Sequence, residues 1–197
     1  MEVVLSTLRA DAQECEILVL GFFEDERPLR GSSGWIDWRL NGALSRHMIE
    51  RKLLGKWKET TLIPSQRRIV PSLILLVGLG KVREYSYPRL RELFSFLLGT
   101  LKNLNVSKIC FSLPEDEEHQ VEPGKLAEVL MEGIADSADD AATPDREEWI
   151  KGLQLYFAEG EKRFSEILLG VQTAQSILKG RLDIRILVPS EENICAS

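Results

Sequence analysis

Short runs of apolar residues recur along the chain, and each is closed by polar residues or proline. The clearest is residues 16–23, Glu-Ile-Leu-Val-Leu-Gly-Phe-Phe, which gives way to three acidic residues and Pro28. Further runs of the same kind, some of them shorter, are residues 73–78, 109–113, 184–188, 60–63 and 3–5. Runs of this length without polar alternation are typical of strands that are buried on both faces.

Between these runs the apolar spacing changes to three and four, as in helices. Ser86 is a predicted N-cap with Pro88 in the first turn. The apolar residues that follow it share one helix face: Leu90, Phe94, Leu97, Leu98 and Leu101. The same spacing predicts helices over residues 126–134 and 164–178, the latter ending at Gly180, and a shorter helix over residues 149–157.

Strands that alternate with helices predict an α/β fold. Because the strands are apolar throughout, we expect a three-layer α/β/α sandwich with a mixed, largely parallel central sheet. The length of 197 residues favours one domain, residues 1–197, whose last strand lies near residues 182–188. Residues 136–145 are the segment predicted to form a mobile loop.

Composition agrees with a packed interior, since 44% of residues are hydrophobic and 28% are charged. The chain begins without a basic region leading into a long apolar stretch, and no apolar run reaches the roughly 20 residues of a membrane helix. Three widely separated cysteines favour reduced thiols used in core packing. A cytoplasmic location without membrane contact is therefore expected.

Charge is distributed unevenly around the net value of −6. Residues 46–91 contain eleven Lys/Arg and three Asp/Glu, whereas residues 111–149 contain two Lys/Arg and thirteen Asp/Glu. If the fold places these segments on different faces, the molecule has a large dipole.

Several segments, read in order, resemble the N-terminal domain of the leucyl (cytosol) aminopeptidase family. The segments that carry the resemblance are Leu18–Glu26, Ile36-Asp37, Leu40–Leu44, Gly55-Lys56, Glu59–Pro64 and Ile74–Lys81. The most specific is Val77-Gly-Leu-Gly-Lys81, which closes an apolar strand ahead of a helix started by proline. The resemblance is strongest over residues 16–113, and residues 114–197 are more divergent.

The resemblance implies a macro-domain-like fold, because the N-terminal domain of that family has one. In the family, a separate C-terminal domain holds two metal ions and supplies a Gly-Lys-Gly lysine and an Asn-Thr-Asp-Ala-Glu-Gly-Arg segment, and neither segment occurs in this sequence. We therefore expect a chain that is not an enzyme, with no catalytic residues, metal or cofactor. A hydrolase that uses an unrecognised site is the alternative that the sequence leaves open. The expected role of such a stand-alone domain is a protein-interaction or regulatory module that binds a protein partner or self-associates.

Two glycine-containing segments are candidate sites for an alternative ligand, ADP-ribose or another nucleotide. Gly31, Ser32, Ser33 and Gly34 resemble in position the glycine-rich loop of macro domains, although an Asn-Ala-Ala-Asn stretch is absent and Trp35 and Trp38 are bulky. Gly78, Gly80 and Lys81 follow a strand, where α/β proteins place phosphate-binding turns. The structural alternatives are a flexible loop for the first segment and a tight strand exit for the second.

Nucleic acid is a further alternative, through the basic segment 46–68 with its central Trp57. A DNA-binding domain is usually basic, whereas this chain has a pI near 5.2. Nucleic acid is therefore disfavoured, and pairing of the basic segment with the chain's own acidic segment or with a protein is preferred. The contiguous acids 115–118 and His119 are interpreted as a solvated loop rather than a metal site.

Overall fold

The computed structural model describes residues 1–114, 121–140, 144–158 and 163–188. The strands within these residues are β1 (Glu2–Ser6), β2 (Ile17–Phe22), β3 (Thr60–Pro64), β4 (Leu73–Gly78), β5 (Lys108–Ser112), β6 (Gln154–Ala158) and β7 (Arg185–Leu187). The helices are α1 (Gly31–Arg39), α2 (Ala43–Ile49), α3 (Tyr87–Asn103), α4 (Pro123–Asp140), α5 (Pro144–Lys151) and α6 (Phe164–Ile177). A single 3-10 turn, Val82–Glu84, precedes α3.

The strands form one seven-stranded sheet in the order β3-β4-β2-β5-β6-β1-β7. All neighbouring pairs are parallel except β3 and β4, so β3 is an antiparallel edge strand. Strand β2 lies in the interior of the sheet, between β4 and β5, and is buried at every position. This arrangement confirms the mixed, largely parallel sheet expected from strands that lack polar alternation.

Helices cover both faces of the sheet. Helices α3, α4 and α6 pack on one face, where residues such as Val19 and Phe111 join the larger hydrophobic cluster. Helices α1 and α2 pack on the other face, against residues such as Leu18 and Leu20. Because successive residues of a strand point to opposite faces, each central strand contributes to both clusters. The α/β/α fold class is confirmed.

The predicted short helix over residues 149–157 is wrong. Helix α5 ends at Lys151, and Gln154–Ala158 form β6, which pairs with β1 and β5. Leu153 and Phe157 have the spacing of a helix, but Leu155 is also buried, as a strand in the interior of a sheet requires. Helix α4 also continues through Asp140, within the predicted mobile loop, while residues 141–143 lie outside the described residues.

A carboxylate links the amino ends of β2 and β5. Glu16 accepts hydrogen bonds from the backbone N–H groups of Ser107 (2.6 Å) and Lys108 (2.8 Å). These bonds favour the charged form and hold the pKa of Glu16 below its usual value. The stabilisation from this shift is therefore present above the unfolded-state pKa, about 4.3 for glutamate, and is lost as the pH falls through the lower folded-state pKa.

We expect Glu16→Gln to lower the urea midpoint at pH 7 and to have a progressively smaller effect as the pH falls below about 4. Urea unfolding from pH 7 to pH 3, followed by fluorescence, measures this difference. Glu14→Gln is the control, because the side chain of Glu14 accepts neither of these backbone bonds. A difference between Glu16→Gln and wild type that stays constant across the pH range would contradict the prediction.

None of the helices in the described residues is long and apolar enough to cross a membrane.

Candidate functional site

The segment Gly31–Gly34 forms the first turn of helix α1. Ser33 points inward, and its hydroxyl donates a hydrogen bond of 2.6 Å to the carbonyl of Gly21 in β2. Gly34 allows a close approach, because a Cβ atom there would lie 2.5 Å from the carbonyl oxygen of Leu29. The flexible loop predicted from the glycine and serine content is therefore wrong. These small residues let α1 begin directly against the sheet.

Two features near the start of α1 have the chemistry to meet an anion. The first N–H groups of an α-helix have no intrahelical acceptor and carry partial positive charge, and Gly31 is exposed while Ser32 is half-buried. Ser112, at the end of β5, lies opposite Leu20 on the face that α1 covers. Its hydroxyl is buried and has no hydrogen-bond partner among the described residues.

The candidates Gly78, Gly80 and Lys81 lie at the end of β4, where the backbone amides are bonded to other parts of the chain. The N–H of Gly78 donates to the carbonyl of Glu59 (2.7 Å), and that of Gly80 to the carbonyl of Gly55 (2.9 Å). The intervening amide donates to the last residue of β2 at 3.0 Å. A phosphate at this turn would therefore be bound mainly by the half-buried side chain of Lys81. Ligand binding here stays a prediction.

Apolar side chains fill the carboxyl end of β2 on the side of the sheet that α3 covers. A Cβ atom on Gly21 would lie 2.6 Å from the side chain of Leu113 and 2.9 Å from that of Leu79. The rings of Phe23 and Tyr85 pack edge to face with centroids 5.0 Å apart. This side of the strand end is therefore part of the core and leaves little room for a ligand.

A cluster of tryptophan and arginine side chains lies at the opposite, amino edge of the sheet, where α1 ends and a loop joins β3 to β4. We call this cluster the Trp38 surface, and its members are Arg9, Trp35, Trp38, Arg39, Arg67 and Arg68. The two tryptophan rings stack with centroids 4.9 Å apart, and the guanidinium of Arg9 lies 3.9 Å from the centroid of Trp35. Because the Trp38 side chain is 67% exposed, the stack ends in a ring that is open to solvent.

A buried carboxylate orients two arginines of the Trp38 surface. Asp11 lies 3.7 Å from the guanidinium of Arg9 and 3.6 Å from that of Arg39. Arg39 also donates a hydrogen bond of 3.3 Å to the carbonyl of Arg68. Asp11 thus fixes the positions of two arginines from the buried side of the surface. The guanidinium groups of the Trp38 surface outnumber its carboxylates.

An open groove of about 580 Å³ adjoins the Trp38 surface. Its walls are formed by Arg39, Pro64, Ser65, Gln66, Arg67, Arg68, Ile69, Val70 and Ser72. Gln66 and Arg67 both have left-handed backbone conformations, with φ of 53° and 60°. Consecutive non-glycine residues in this region of φ/ψ space are strained and are found more often at binding sites than elsewhere.

Only part of the Trp38 surface has a signal in the sequence. Trp35, Trp38 and Arg39 are spaced by three and four residues, which places them on one face of a helix. Arg9 is distant in sequence and lies in the segment that joins β1 to β2, which brings it to Trp35. The basic candidate segment 46–68 contributes Arg67 and Arg68 alone.

Several of the other basic residues of segment 46–68 are engaged locally. Lys52 pairs with Glu50 at 2.7 Å, and Lys58 pairs with Glu92 at 2.6 Å. Trp57 packs under the guanidinium of Arg89, which lies 4.1 Å from a ring centroid. Because the basic side chains of the segment contact several different neighbours, they do not favour a continuous positive surface on which DNA could bind.

The acidic segment 111–149 supplies partners for basic residues of the helix that precedes it. In α3, Arg91 contacts Glu132 at 2.9 Å and Asp136 at 2.5 Å. The hydrogen bond from Arg91, with a further contribution from Arg181, lowers the pKa of Asp136 below its usual value. Arg91 lies outside the basic segment 46–68, and Lys52 and Lys58 of that segment pair with Glu50 and Glu92 rather than with segment 111–149. The pairing of segment 46–68 with the acidic segment therefore stays a prediction.

No group of three or more His, Cys, Asp or Glu side chains in the described residues is arranged to hold a metal ion. His47 lies 3.8 Å from Glu50. The acidic residues 115–118 and His119 lie outside the described residues.

Comparison with known proteins relates the chain to one family. Residues 19–140 match the Cytosol aminopeptidase family, N-terminal domain. A probable cytosol aminopeptidase of Sulfurihydrogenibium is 28% identical over 136 residues, which cover 68% of this chain and 26% of the relative. A probable cytosol aminopeptidase of Alkaliphilus oremlandii is 26% identical over 98% of this chain and 38% of the relative. The chain thus spans between a quarter and two fifths of these relatives.

Solved structures share the fold at low sequence identity. A Trypanosoma brucei macrodomain in complex with ADP superposes with a TM-score of 0.64 at 10% identity, covering 85% of this chain and 68% of that one. An Oceanobacillus iheyensis macrodomain gives 0.62 at 12% identity, covering 89% and 92%. A tomato leucine aminopeptidase mutant gives 0.58 at 14% identity, covering 90% and 37%. The macro-domain-like architecture is confirmed.

Proposed function

Because the chain belongs to the cytosol aminopeptidase family through its N-terminal domain, we propose that it is a non-catalytic module that docks on another protein through the Trp38 surface. The single observation that carries this proposal is Trp38, a large ring 67% exposed at the end of an ordered stack. Tryptophan and arginine are the residues that most often dominate binding energy at protein interfaces. A cytoplasmic location, in keeping with the relatives' name, is part of the proposal.

The charge of the Trp38 surface defines the partner's chemistry. The carboxylate of Asp11 is 9% exposed and lies against two of the four arginines, so the guanidinium groups dominate what faces solvent. A complementary partner presents carboxylates around an apolar pocket that receives the ring of Trp38. Such complementarity raises the association rate and weakens as salt is added.

We expect Trp38→Ala to weaken binding of the cognate protein about 30-fold, the equivalent of a hot spot of about 2 kcal/mol. Tagged wild-type protein and variants are used to capture partners, and a purified partner is then titrated by calorimetry at two salt concentrations. Ile49→Ala is the matched control, because Ile49 is an exposed apolar side chain, 82% accessible, on a different helix. Light scattering of the purified protein tests the alternative that the partner is a second copy.

Removal of Trp38 is expected to lower the melting temperature only slightly, since the ring is 67% exposed and the stack with Trp35 that is lost contributes about 0.5 to 1.5 kcal/mol. A monomeric protein whose captured partners are retained equally by wild type and Trp38→Ala would contradict the docking role. Equal losses with Trp38→Ala and Ile49→Ala would contradict the assignment of that role to this surface.

Nucleotide binding at the start of α1 is a second candidate function, favoured by the unpartnered, buried hydroxyl of Ser112. Structural neighbours of the chain include macrodomains in complex with ADP and with ADP-ribose. A diphosphate here would meet the first amides of α1, at Gly31, Ser32 and Ser33, with Ser112 beneath it. Gly78, Gly80 and Lys81 would lie on the far side of β2, beyond the filled end of that strand.

We expect ADP-ribose to raise the melting temperature of wild type if this site is used, because a ligand at 100 times its Kd adds about 2.7 kcal/mol to folding stability. Ser112→Ala should abolish most of the shift without lowering the stability of the free protein, since the hydroxyl it removes is unpaired. Trp38→Ala is the control and should retain the full shift. Absence of a shift in wild type with ADP-ribose and ADP would contradict this second candidate.

A further inference from the structure

Two thiols meet on the face of the sheet that α1 covers. Cys15 precedes β2, and Cys110 lies within the neighbouring strand β5, opposite Tyr156 of β6. The thiol of Cys15 is hydrogen-bonded with the Cys110 side chain and also donates to the carbonyl of Ile17 at 3.4 Å. Both side chains belong to the same hydrophobic cluster.

The two thiols differ in their access to solvent. Cys15 is half-buried and Cys110 is fully buried, so an oxidant from solvent reaches Cys15 first. Hydrogen bonds from the Cys110 side chain and backbone lower the pKa of Cys15, and burial opposes them only in part. Because the thiolate is the reactive form of cysteine, Cys15 has the character of an attacking thiol and Cys110 that of a resolving one.

We propose that Cys15 and Cys110 form a peroxide-sensitive dithiol site that closes to an intramolecular disulfide. The Cys15 thiolate attacks one oxygen of hydrogen peroxide, the O–O bond breaks, and the departing hydroxide takes up a proton to leave as water. Cys15 is then a sulfenic acid, and the Cys110 sulfur displaces its oxygen as a second water while the Cys110 proton is released to it. Two thiols and one peroxide thus become one disulfide and two waters.

The bond would tie the segment before β2 to strand β5. Glu16 already joins these two elements through its bonds to Ser107 and Lys108. The same segment contains Arg9, which is a member of the Trp38 surface, and Asp11, whose carboxylate orients two arginines of that surface. Oxidation would therefore restrain one side of that surface, although the dithiol chemistry does not depend on the surface having a partner.

The test uses the full chain with Cys195→Ser, which removes the third thiol. The protein is treated with increasing hydrogen peroxide, free thiols are alkylated, and tryptic peptides are mapped by mass spectrometry. The expected result is one cross-linked pair that joins the peptide of Cys15 to the peptide of Cys110 within a monomer and is reversed by dithiothreitol. In Cys110→Ser the expected product is a sulfenic acid at Cys15, trapped by dimedone.

Cys15→Ser provides the discriminating measurement. Cys110 should then resist a disulfide reagent such as dithionitrobenzoate, reacting roughly tenfold more slowly than Cys15 does in Cys110→Ser, because it is buried and has lost its partner. Cys110→Ala replaces Cys110→Ser if the serine variant does not fold. Disulfides only between molecules, no cross-link at peroxide doses that oxidise free cysteine, or equal reactivity of the two thiols would each overturn the proposal.

Discussion

Gly78→Ala is expected to lower the free energy of unfolding by about 3 kcal/mol, at the upper end for overpacking substitutions. A Cβ atom at Gly78 would lie 2.0 Å from the carbonyl oxygen of Lys56 and 2.7 Å from the carbonyl carbon of Gly55. These are backbone atoms, so a change of rotamer cannot relieve the overlap. The loop that follows α2 would have to move away from the end of β4, and the paired bonds between Gly78 and the Lys58–Glu59 segment would break. Urea unfolding measures the loss.

Gly31→Ala is the matched control from the other candidate glycine segment. Gly31 has φ of +52°, but a Cβ atom there meets nothing within 4 Å. Only the cost of the left-handed conformation remains, about 1 kcal/mol. If Gly78 were required only to let a ligand come close to the backbone, Gly78→Ala would fold with wild-type stability. That outcome would contradict the structural role assigned to this glycine.

Gly170→Ala is expected to be destabilising to a similar degree, about 3 kcal/mol, even though alanine is the better helix former. Gly170 faces the first turn of α4, and its Cβ atom would lie 1.9 Å from the carbonyl oxygen of Gly124 and 2.6 Å from its carbonyl carbon. The approach is reciprocal, since a Cβ atom on Gly124 would lie 2.5 Å from the carbonyl oxygen of Glu166. The added methyl group would separate α4 from α6.

Gly99→Ala tests whether packing rather than helix propensity decides the sign. Gly99 lies within α3, and a Cβ atom there meets nothing within 4 Å. This substitution should raise the free energy of unfolding by about 0.5 to 1 kcal/mol, the helix propensity difference between the two residues. Thermal unfolding of both variants should therefore give shifts of opposite sign. A loss of stability in Gly99→Ala, or no loss in Gly170→Ala, would contradict the interpretation that packing decides the sign of the effect.

Most strands were predictable because burial on both faces requires continuous apolar sequence. The runs at residues 16–23, 73–78 and 109–113 appear as β2, β4 and β5 within one or two residues of the expected ends. Helix α3 was equally clear, since Leu90 and Leu97 mark one apolar face over 17 residues. These elements have local patterns strong enough that no tertiary contact changes them.

Strand β6 and helix α1 were not predictable in the same way. Trp149, Leu153 and Phe157 have helical spacing, yet the chain leaves the helix at Lys151 because the gap between β1 and β5 has to be filled by a strand. The start of α1 reads as a loop, because glycine and serine are weak helix formers. Packing against Gly21 and Leu29 overrides that preference.

The candidate site was likewise predictable only in part. The sequence shows the glycines at positions 78 and 80, but it does not show whether a glycine is required for backbone packing or for phosphate binding. The family resemblance restricted the fold and did not distinguish these roles. Only the hydrogen bonds of the 78–81 segment show that its amides are already engaged.

The sequence by itself determined the α/β class, the family and most of the elements, because hydrophobic periodicity and motif order are local properties of the chain. The tertiary structure alone decided which side chains meet. Arg9 reaches Trp35, Cys15 reaches Cys110, and Gly170 touches Gly124 because the strand order brings distant segments together. Contacts between residues far apart in the chain depend on the sheet's topology, which no local pattern in a single sequence encodes.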